Sequence, residues 1–298
     1  MIRNKYIDLH IHSNYSDGNF TPKQLINIAE NNNVKILAIT DHDSISGLRE
    51  FKDNISYGLF GVNGIELSSY IVDNNENTRI HILGYCFDEK NYLFQKLVNE
   101  MNDKRRNIHL RLLKELREKI KKIPEEEIKK ININRYCWFD REVIECLEKS
   151  KYPKEIIDEL KLHYKINKFS YGDDYNLNVR RVIDGIHSAG GYVVLAHPMS
   201  YDFSYDKDRV SRIINKLIDM GIDGIEIFHT ECSLNDTIWL REIVNKNNLL
   251  YSVGSDFHRF IDSDGRQIGL GIDNNLCISE TSLTNEILKT KKYFKKVN

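Results

Sequence analysis

Long apolar runs are missing from this chain of 298 residues. Nothing approaches the ~20 consecutive apolar residues of a membrane-spanning helix. The start, Met1-Ile2-Arg3-Asn4-Lys5, has no apolar signal core, so a soluble, cytoplasmic protein is expected. A surplus of charge is missing too: 43 basic against 44 acidic residues leave a formal net charge of -1. No global field then draws the chain to an anionic membrane or to long duplex nucleic acid, and any basic site must be local. Cysteine is sparse. Cys86, Cys137, Cys146, Cys232 and Cys277 are odd in number, widely spread and never in a C-x-x-C arrangement, which argues against a disulfide framework or a thiolate zinc site. No repeat or low-complexity linker is present. What the chain does have is 41% hydrophobic content, enough for a large core, and its length suits one α/β barrel as well as two domains.

Histidine is the informative residue. Asp8-Leu9-His10-Ile11-His12-Ser13 reads as a buried strand, and residues two apart on a strand share a face, so His10 and His12 aim into one space. A metal ion commonly demands such a pair. Asp17 follows, before Gly18. Thr21-Pro22-Lys23-Gln24 carries a capping box with proline at the first helical position and starts a helix. The next strand, Val34 to Thr40, delivers Asp41-His42-Asp43. Further strands are expected at Gly61 to Ile71, carrying Glu66, and at Arg79 to Phe87, carrying His81. This alternation predicts βαβ units and a mainly parallel sheet.

From about Asn91 to Asp174 the pattern is helical and rich in charge, and it reads as an insertion. Leu93, Leu97, Met101, Ile108, Leu112, Leu116 and Ile120 mark the apolar face of a long helix whose other face is basic. The expected organisation is therefore a metal-binding barrel from residues 1–90 and 175–298, with a helical insertion at 91–174 as a lid or cap. The α/β rhythm resumes with strands ending in His197-Pro198, near His229 and in Ser255-Asp256-Phe257-His258, and a terminal helix closes the chain.

In a barrel of parallel strands the carboxyl ends meet on one face. His10, His12, Asp17, His42, Glu66, His81, His197, Asp256 and His258 are thereby gathered as candidate metal ligands. Six of the ten histidines sit at such strand ends beside carboxylates, which chance does not explain. Asp41 and Asp43 flank His42 and are expected to orient it, since metal-bound imidazoles donate their other N–H to an acceptor. His109, His163 and His187 lie on predicted helices and read as surface or packing residues. Nine nitrogen and oxygen ligands exceed the needs of one ion. Two or three divalent metals are implied, with Glu66 able to bridge; Mn²⁺ is taken first, with Zn²⁺ or Fe²⁺ also suited. Clustered divalent ions activate water and clamp the oxygens of an in-line phosphoryl displacement, which points to hydrolysis of a phosphate ester.

These motifs together resemble the polymerase and histidinol phosphatase (PHP) family: H-x-H-x4-D-G at His10 to Gly18, Thr40 to Asp43, Gly64-Ile65-Glu66, His81 to Tyr85, Ala196-His197-Pro198 and Gly254 to His258. The resemblance implies a distorted (β/α)7 barrel with a trinuclear site. It places His10, His12, Glu66 and Asp256 on one metal, Glu66, His81 and His197 on a second, and Asp17, His42 and His258 on a third. Within the family the chain is similar to stand-alone nucleoside 3′,5′-bisphosphate phosphatases that also trim short RNA from its 5′ end. By this comparison Arg135, with Arg105 and Arg106, is expected to bind substrate phosphate. Two stretches depart from the pattern, Asn134 to Trp138 and Phe228-His229-Thr230-Glu231-Cys232, and both lie in expected substrate-facing loops. Glu231, if it faces the pocket, would disfavour a second phosphate there.

The expected activity is hydrolysis of a nucleoside 3′,5′-bisphosphate or a short 5′-phosphorylated oligonucleotide by a metal-bridging hydroxide. Asp41 and His229 are the expected catalytic side chains, His229 as donor to the leaving alcohol. The competing expectations are hydrolysis of a cyclic sugar phosphate or sugar monophosphate, and a non-catalytic, metal-stabilised binding module. Substrate is the expected partner, short single-stranded RNA included.

Overall fold

The computed structural model describes residues 5–119, 144, 147–149, 151–167, 176–200, 206–260 and 265–296. In chain order the elements are β1 (Tyr6–Asp8), α1 (Pro22–Asn31), β2 (Val34–Ile39), α2 (Leu48–Asn54), β3 (Phe60–Asp73), β4 (Glu76–Tyr85), α3 (Tyr92–Lys119), α4 (Lys154–Asn167), β5 (Leu177–Asn178), α5 (Val179–Ser188), β6 (Tyr192–Leu195), α6 (Lys207–Asp219), β7 (Gly224–His229), α7 (Leu234–Asn247), β8 (Leu250–Gly254) and α8 (Ser282–Thr290). This is an α/β fold around one central sheet, ordered β1-β2-β3-β4-β6-β7-β8, with β5 paired to β3. The strands read as nearly unbroken apolar runs because most are covered on both faces.

The sheet is mainly parallel, as the βαβ rhythm predicts, but β4 runs antiparallel to both β3 and β6. The reversal is made by Asn74 and Asn75, whose φ values of 51° and 65° form a tight hairpin turn between the paired Asp73 and Glu76. The hydrogen-bonded path begins at β1 and ends at β8. Leu9 N donates to Val253 O (3.0 Å), Asp256 N to His10 O (2.7 Å) and His12 N to Phe257 O (2.8 Å), so the chain just beyond β1 lies against the chain leaving β8. These three bonds set the first and last pairs of candidate ligands side by side.

Local chemistry explains the helices that hold this arrangement. Thr21 and Gln24 form the reciprocal capping box and Pro22 opens α1, which turns Leu25, Ile26 and Ala29 inward. Helix α3 packs on α5, where Leu97 leaves no room for a Cβ at Gly185. Phe94, Leu97, Val98 and Met101 of α3 join the large core cluster that also takes Val182, Ile183 and Ile186 of α5 and Ile213, Ile214 and Leu217 of α6. Arg105 lies on this inward face, four residues after Met101 and three before Ile108, and is only 5% exposed. No helix among the described residues is long and apolar enough to cross a membrane.

Candidate metal centre

Glu66, on β3, occupies the middle of the site. Its Oε2 lies 3.3 Å from His10 Nε2, 3.2 Å from His12 Nε2 and 3.1 Å from His42 Nδ1, and its Oε1 lies 2.9 Å from His81 Nδ1 and 3.0 Å from His197 Nε2. Five imidazoles thus surround one buried carboxylate. Asp256 Oδ1 adds contacts at 3.4 Å to His10 Nε2 and 3.1 Å to His12 Nε2. On the other flank Asp17 Oδ1 is 3.2 Å from His258 Nε2, and the His12 and His258 rings stack at 4.1 Å. All nine sequence-selected residues come together here. Donor atoms of eight of them, all but His197, form three overlapping groups: His12, Asp17, His42 and His258; His10, His12, Glu66 and Asp256; and His42, Glu66 and His81.

The residues holding these groups in place were only partly foreseen. Asp41 is held by the turn after His12. Its Oδ1 accepts from Ser13 N (2.7 Å) and Ser16 Oγ (2.6 Å), and its Oδ2 from Ser13 Oγ (2.6 Å). It therefore fastens the turn that presents Asp17. Gly18 in that turn presses against the His12 carbonyl and has no space for a Cβ. Asp43 accepts from Ser68 N (2.8 Å) and pairs with Arg105 at 3.8 Å, and Arg105 also donates to Asn102. Arg105 thus ties α3 to the His42 loop and is not among the residues lining the site cavity. Arg106 is exposed on α3, and Arg135 lies outside the described residues.

Two further carboxylates escaped the sequence reading. Glu226, fully buried on β7, accepts from His10 Nδ1 (3.1 Å) and from His197 N (2.9 Å). Because a carboxylate only accepts, His10 donates from Nδ1, which leaves Nε2 facing Glu66 and Asp256 as the atom that would offer its lone pair to a metal ion. Asp8 accepts from His10 N (3.2 Å), Ser255 N (3.0 Å) and Gly269 N (2.7 Å), bolting the first strand to the loop after β8. A carboxylate inside an apolar strand was the available signal in both cases, since a buried charge needs partners. His258 Nδ1 donates to the Asp256 carbonyl (2.9 Å), which leaves its Nε2 facing Asp17. Asp43, His197 and Asp256 take left-handed backbone angles (φ 48°, 26° and 54°), uncommon for residues other than glycine and typical of positions where geometry serves a site.

Electrostatics follow from burial and crowding. Burial disfavours charge on every one of these groups. At His10 the carboxylates of Glu226, Glu66 and Asp256 outweigh it and hold the imidazole well above its ordinary range. At His12, the nearby Asp256 and Glu66 carboxylates outweigh burial and push the pKa up to about 10. At His42 and His81 burial wins, and both imidazoles are held below the ordinary value. Burial would raise Glu66 and Asp256, yet the surrounding imidazoles hold both well below the carboxylate range. Burial lifts Asp8 and Asp43 to about 6.

The donor set fits divalent metal. His10 Nε2, His12 Nε2, Glu66 Oε2 and Asp256 Oδ1 stand 3.1–3.4 Å apart along the four imidazole–carboxylate edges. Two adjacent ligands on one divalent ion, each at about 2.0–2.2 Å, are separated by about 2.8–3.1 Å in an octahedral arrangement and about 3.3–3.6 Å in a tetrahedral one, which brackets these edges. Of these atoms, His10 Nε2, His12 Nε2 and Glu66 Oε2 are buried without a hydrogen bond, as is Asp17 Oδ1 close by. Buried polar atoms left in that state are costly unless an ion or water satisfies them. A cavity of 140 Å³ opens beside them, lined by Asp17, His42, Glu66, His81, His197, His229, Asp256 and His258 together with Arg79, Ser200 and Glu231. Arg79 lies two residues before His81 on the same face of β4, and its charge helps keep His81 neutral.

The PHP domain profile matches residues 8–159, more than half of the chain. The 5′-3′ exoribonuclease Rnm of Salmonella typhimurium is 30% identical over 260 residues, 85% of each protein. The phosphoribosyl 1,2-cyclic phosphate 1,2-diphosphodiesterase of Eggerthella lenta is 29% identical over 255 residues, covering 84% of this chain and 93% of its own. Among solved structures, an amidohydrolase from Chromobacterium violaceum superposes with a TM-score of 0.72 at 21% identity, covering 98% of this chain and 99% of that one. The chain belongs to the PHP domain family.

Proposed function

We propose that the chain is a metal-dependent phosphoesterase that acts on a nucleoside 3′,5′-bisphosphate or a short 5′-phosphorylated oligonucleotide. The observation that carries the reading is the quartet of His10, His12, Glu66 and Asp256, whose donor atoms stand at the spacing of ligands on one ion and whose two carboxylates line a cavity. In this proposal two or three divalent ions, with Mn²⁺ the first choice, are held by that quartet, by Glu66, His81 and His197, and by Asp17, His42 and His258. The sheet is read as a distorted (β/α)7 barrel formed by residues 1–90 and 175–298, supported by the bonds joining Leu9 and His10 to Val253 and Asp256. Residues 91–174 form its helical insertion, supported by helices α3 and α4.

When bound, the ions supply Lewis acidity to the phosphoryl oxygens and to an attacking water. The chain supplies the rest. Arg79 gives the cavity wall a guanidinium suited to a phosphoryl oxygen, the role expected of Arg135 and its neighbours. His229 Nδ1 accepts from Glu231 N (3.2 Å), which leaves Nε2, 3.8 Å from Asp256 Oδ2 at the cavity wall, as the donor. His229 Nε2 therefore donates a hydrogen bond to the leaving oxygen. Asp41 acts at one remove, through the turn that fixes Asp17.

A second reading, hydrolysis of a cyclic sugar phosphate, is favoured by the cavity size. At 140 Å³ it admits a phosphoryl group and part of a sugar, well below the ~300–1,000 Å³ of sites that enclose drug-sized ligands. The test is product release by Mn²⁺-reconstituted protein from adenosine 3′,5′-bisphosphate, a 5′-phosphorylated dinucleotide, AMP and a cyclic sugar phosphate. Preference for the first two supports the proposal. Turnover of the cyclic ester alone supports the second reading, and no turnover with ions bound makes the chain a binding module.

A further inference from the structure

Glu231 is a cavity-lining carboxylate that no metal-binding group claims. Asp17, Glu66 and Asp256, which share the cavity wall with it, all belong to such groups. Glu231 instead gives Oε1 to Arg266 Nη2 at 3.0 Å, and its second oxygen has no protein partner among the described residues. Arg266 is fixed in turn: its Nη1 donates to the carbonyls of Ser255 (3.3 Å) and Asp256 (3.0 Å) and lies 3.4 Å from Asp256 Oδ2. One rigid guanidinium thus spans the Asp256 and Glu231 carboxylates and sets Glu231 a single group's width from the metal quartet.

The segment that carries Glu231 is preorganised. Thr230 Oγ1 donates to Ser255 O (2.8 Å), Asn275 Nδ2 donates to Thr230 O (2.8 Å) and Cys232 N donates to His229 O (2.9 Å). The Glu231 side chain is 36% exposed and lines the cavity, and the guanidinium on one of its oxygens disfavours a cation beside it. Its chemistry is specific: an ionised carboxylate accepts from a hydroxyl and repels a phosphate.

Resting on the phosphoesterase reading above, we infer that Glu231 is a specificity-determining residue. It accepts a hydrogen bond from a hydroxyl vicinal to the scissile ester, as a ribose 2′-hydroxyl is to a 3′-phosphate. The enzyme thereby prefers ribonucleotides and sugar diol phosphates over deoxy analogues, and disfavours substrates that carry a second phosphate at that position.

The test compares kcat/KM for adenosine 3′,5′-bisphosphate and 2′-deoxyadenosine 3′,5′-bisphosphate in the metal-loaded wild type, Glu231→Gln and Glu231→Ala. Metal content and melting temperature are measured on the same samples. A charge-assisted hydrogen bond to the hydroxyl predicts a ribo-over-deoxy ratio of about 10 to 100 in wild type. The ratio falls to a few-fold in E231Q, which keeps an acceptor but no charge, and to about 1 in E231A, with metal content unchanged. A purely structural Glu231 would lower turnover of both substrates equally and leave the ratio alone, which overturns the inference. Equal turnover of the two substrates by wild type also overturns it while leaving the phosphoesterase reading standing. Turnover of neither substrate overturns both.

Discussion

Replacing Glu226 with Gln removes one charge from a residue that does not line the cavity, yet the structure predicts a large loss. The carboxylate accepts from His10 Nδ1 at 3.1 Å and from the His197 backbone N–H at 2.9 Å, with no solvent access. An amide can offer its oxygen to one of these donors, but its NH₂ must then face the other. One charge-assisted bond, about 1.5–3 kcal/mol, is forfeited, and a buried donor is left without a partner. The His10 ring also loses the acceptor for its Nδ1, so Nε2 no longer reliably offers its lone pair to a metal ion. Carboxylates in this relation to a ligating histidine are typically worth about 10- to 100-fold in metal affinity or activity. The assay is competitive titration of the stripped protein with Zn²⁺ or Mn²⁺ against a chromophoric chelator, alongside kcat/KM of the loaded protein. A drop of that size in affinity for the tightest ion agrees with the geometry. Wild-type affinity and turnover in a folded E226Q protein would refute the assignment of Glu226 as the orienting partner of His10.

Other perturbations test separate links. Arg105→Ala leaves buried Asp43 without its cation, so a loss of about 3–5 kcal/mol is expected in denaturant unfolding, while KM stays within about twofold; a raised KM without destabilisation would return Arg105 to substrate binding. A Cβ at Gly254 would collide with His10 Cβ and Glu226 Oε1, so Gly254→Ala is expected to cost about 1–3 kcal/mol and to reduce metal content; a fully loaded, equally stable variant would contradict that packing. In the metal-free protein the His12 pKa is raised from 6.5 to about 10, so the stability it contributes is present below about 6.5 and is lost as pH rises toward 10. The melting temperature of the stripped protein is therefore expected to fall over that interval, and a metal-loaded sample in which an ion has replaced the proton should lack this slope.

The ligands were legible because their spacing is local. His10 with His12, and Asp256 with His258, sit two residues apart just beyond the ends of β1 and β8, and the expected i, i+2 alternation gathered each pair. The backbone bonds from Asp256 N to His10 O and from His12 N to Phe257 O are what set them together. Residues whose partners are distant left no such trace. Glu226 meets His10 across 216 positions of sequence, and nothing in the Gly224-Ile225-Glu226 stretch names its partner. Sequence adjacency suggested Asp41 as an orienting partner of His42, and nothing local announced its hydrogen bonds to Ser13 and Ser16, more than twenty residues earlier. Arg105 looked like part of the basic stripe of its helix, although its spacing from Met101 and Ile108 put it on the apolar face. The antiparallel β4 was signalled by Asn74-Asn75, a pair suited to the left-handed angles of a hairpin turn, but the βαβ rhythm on either side favoured parallel pairing. Arg79 was passed over because a cation in a strand reads as a solvent-facing residue until its register with His81 is known.

The central claim is that the nine-residue cluster holds the divalent ions that hydrolyse phosphate esters. It is tested most directly by titrating Mn²⁺ into the metal-stripped protein while measuring phosphate release from adenosine 3′,5′-bisphosphate and bound metal per chain. The account predicts no release at the start and activity that rises with occupancy, saturating at two or three ions. Undiminished activity in the stripped protein, or full occupancy with no turnover of this or any other phosphate ester, would contradict it.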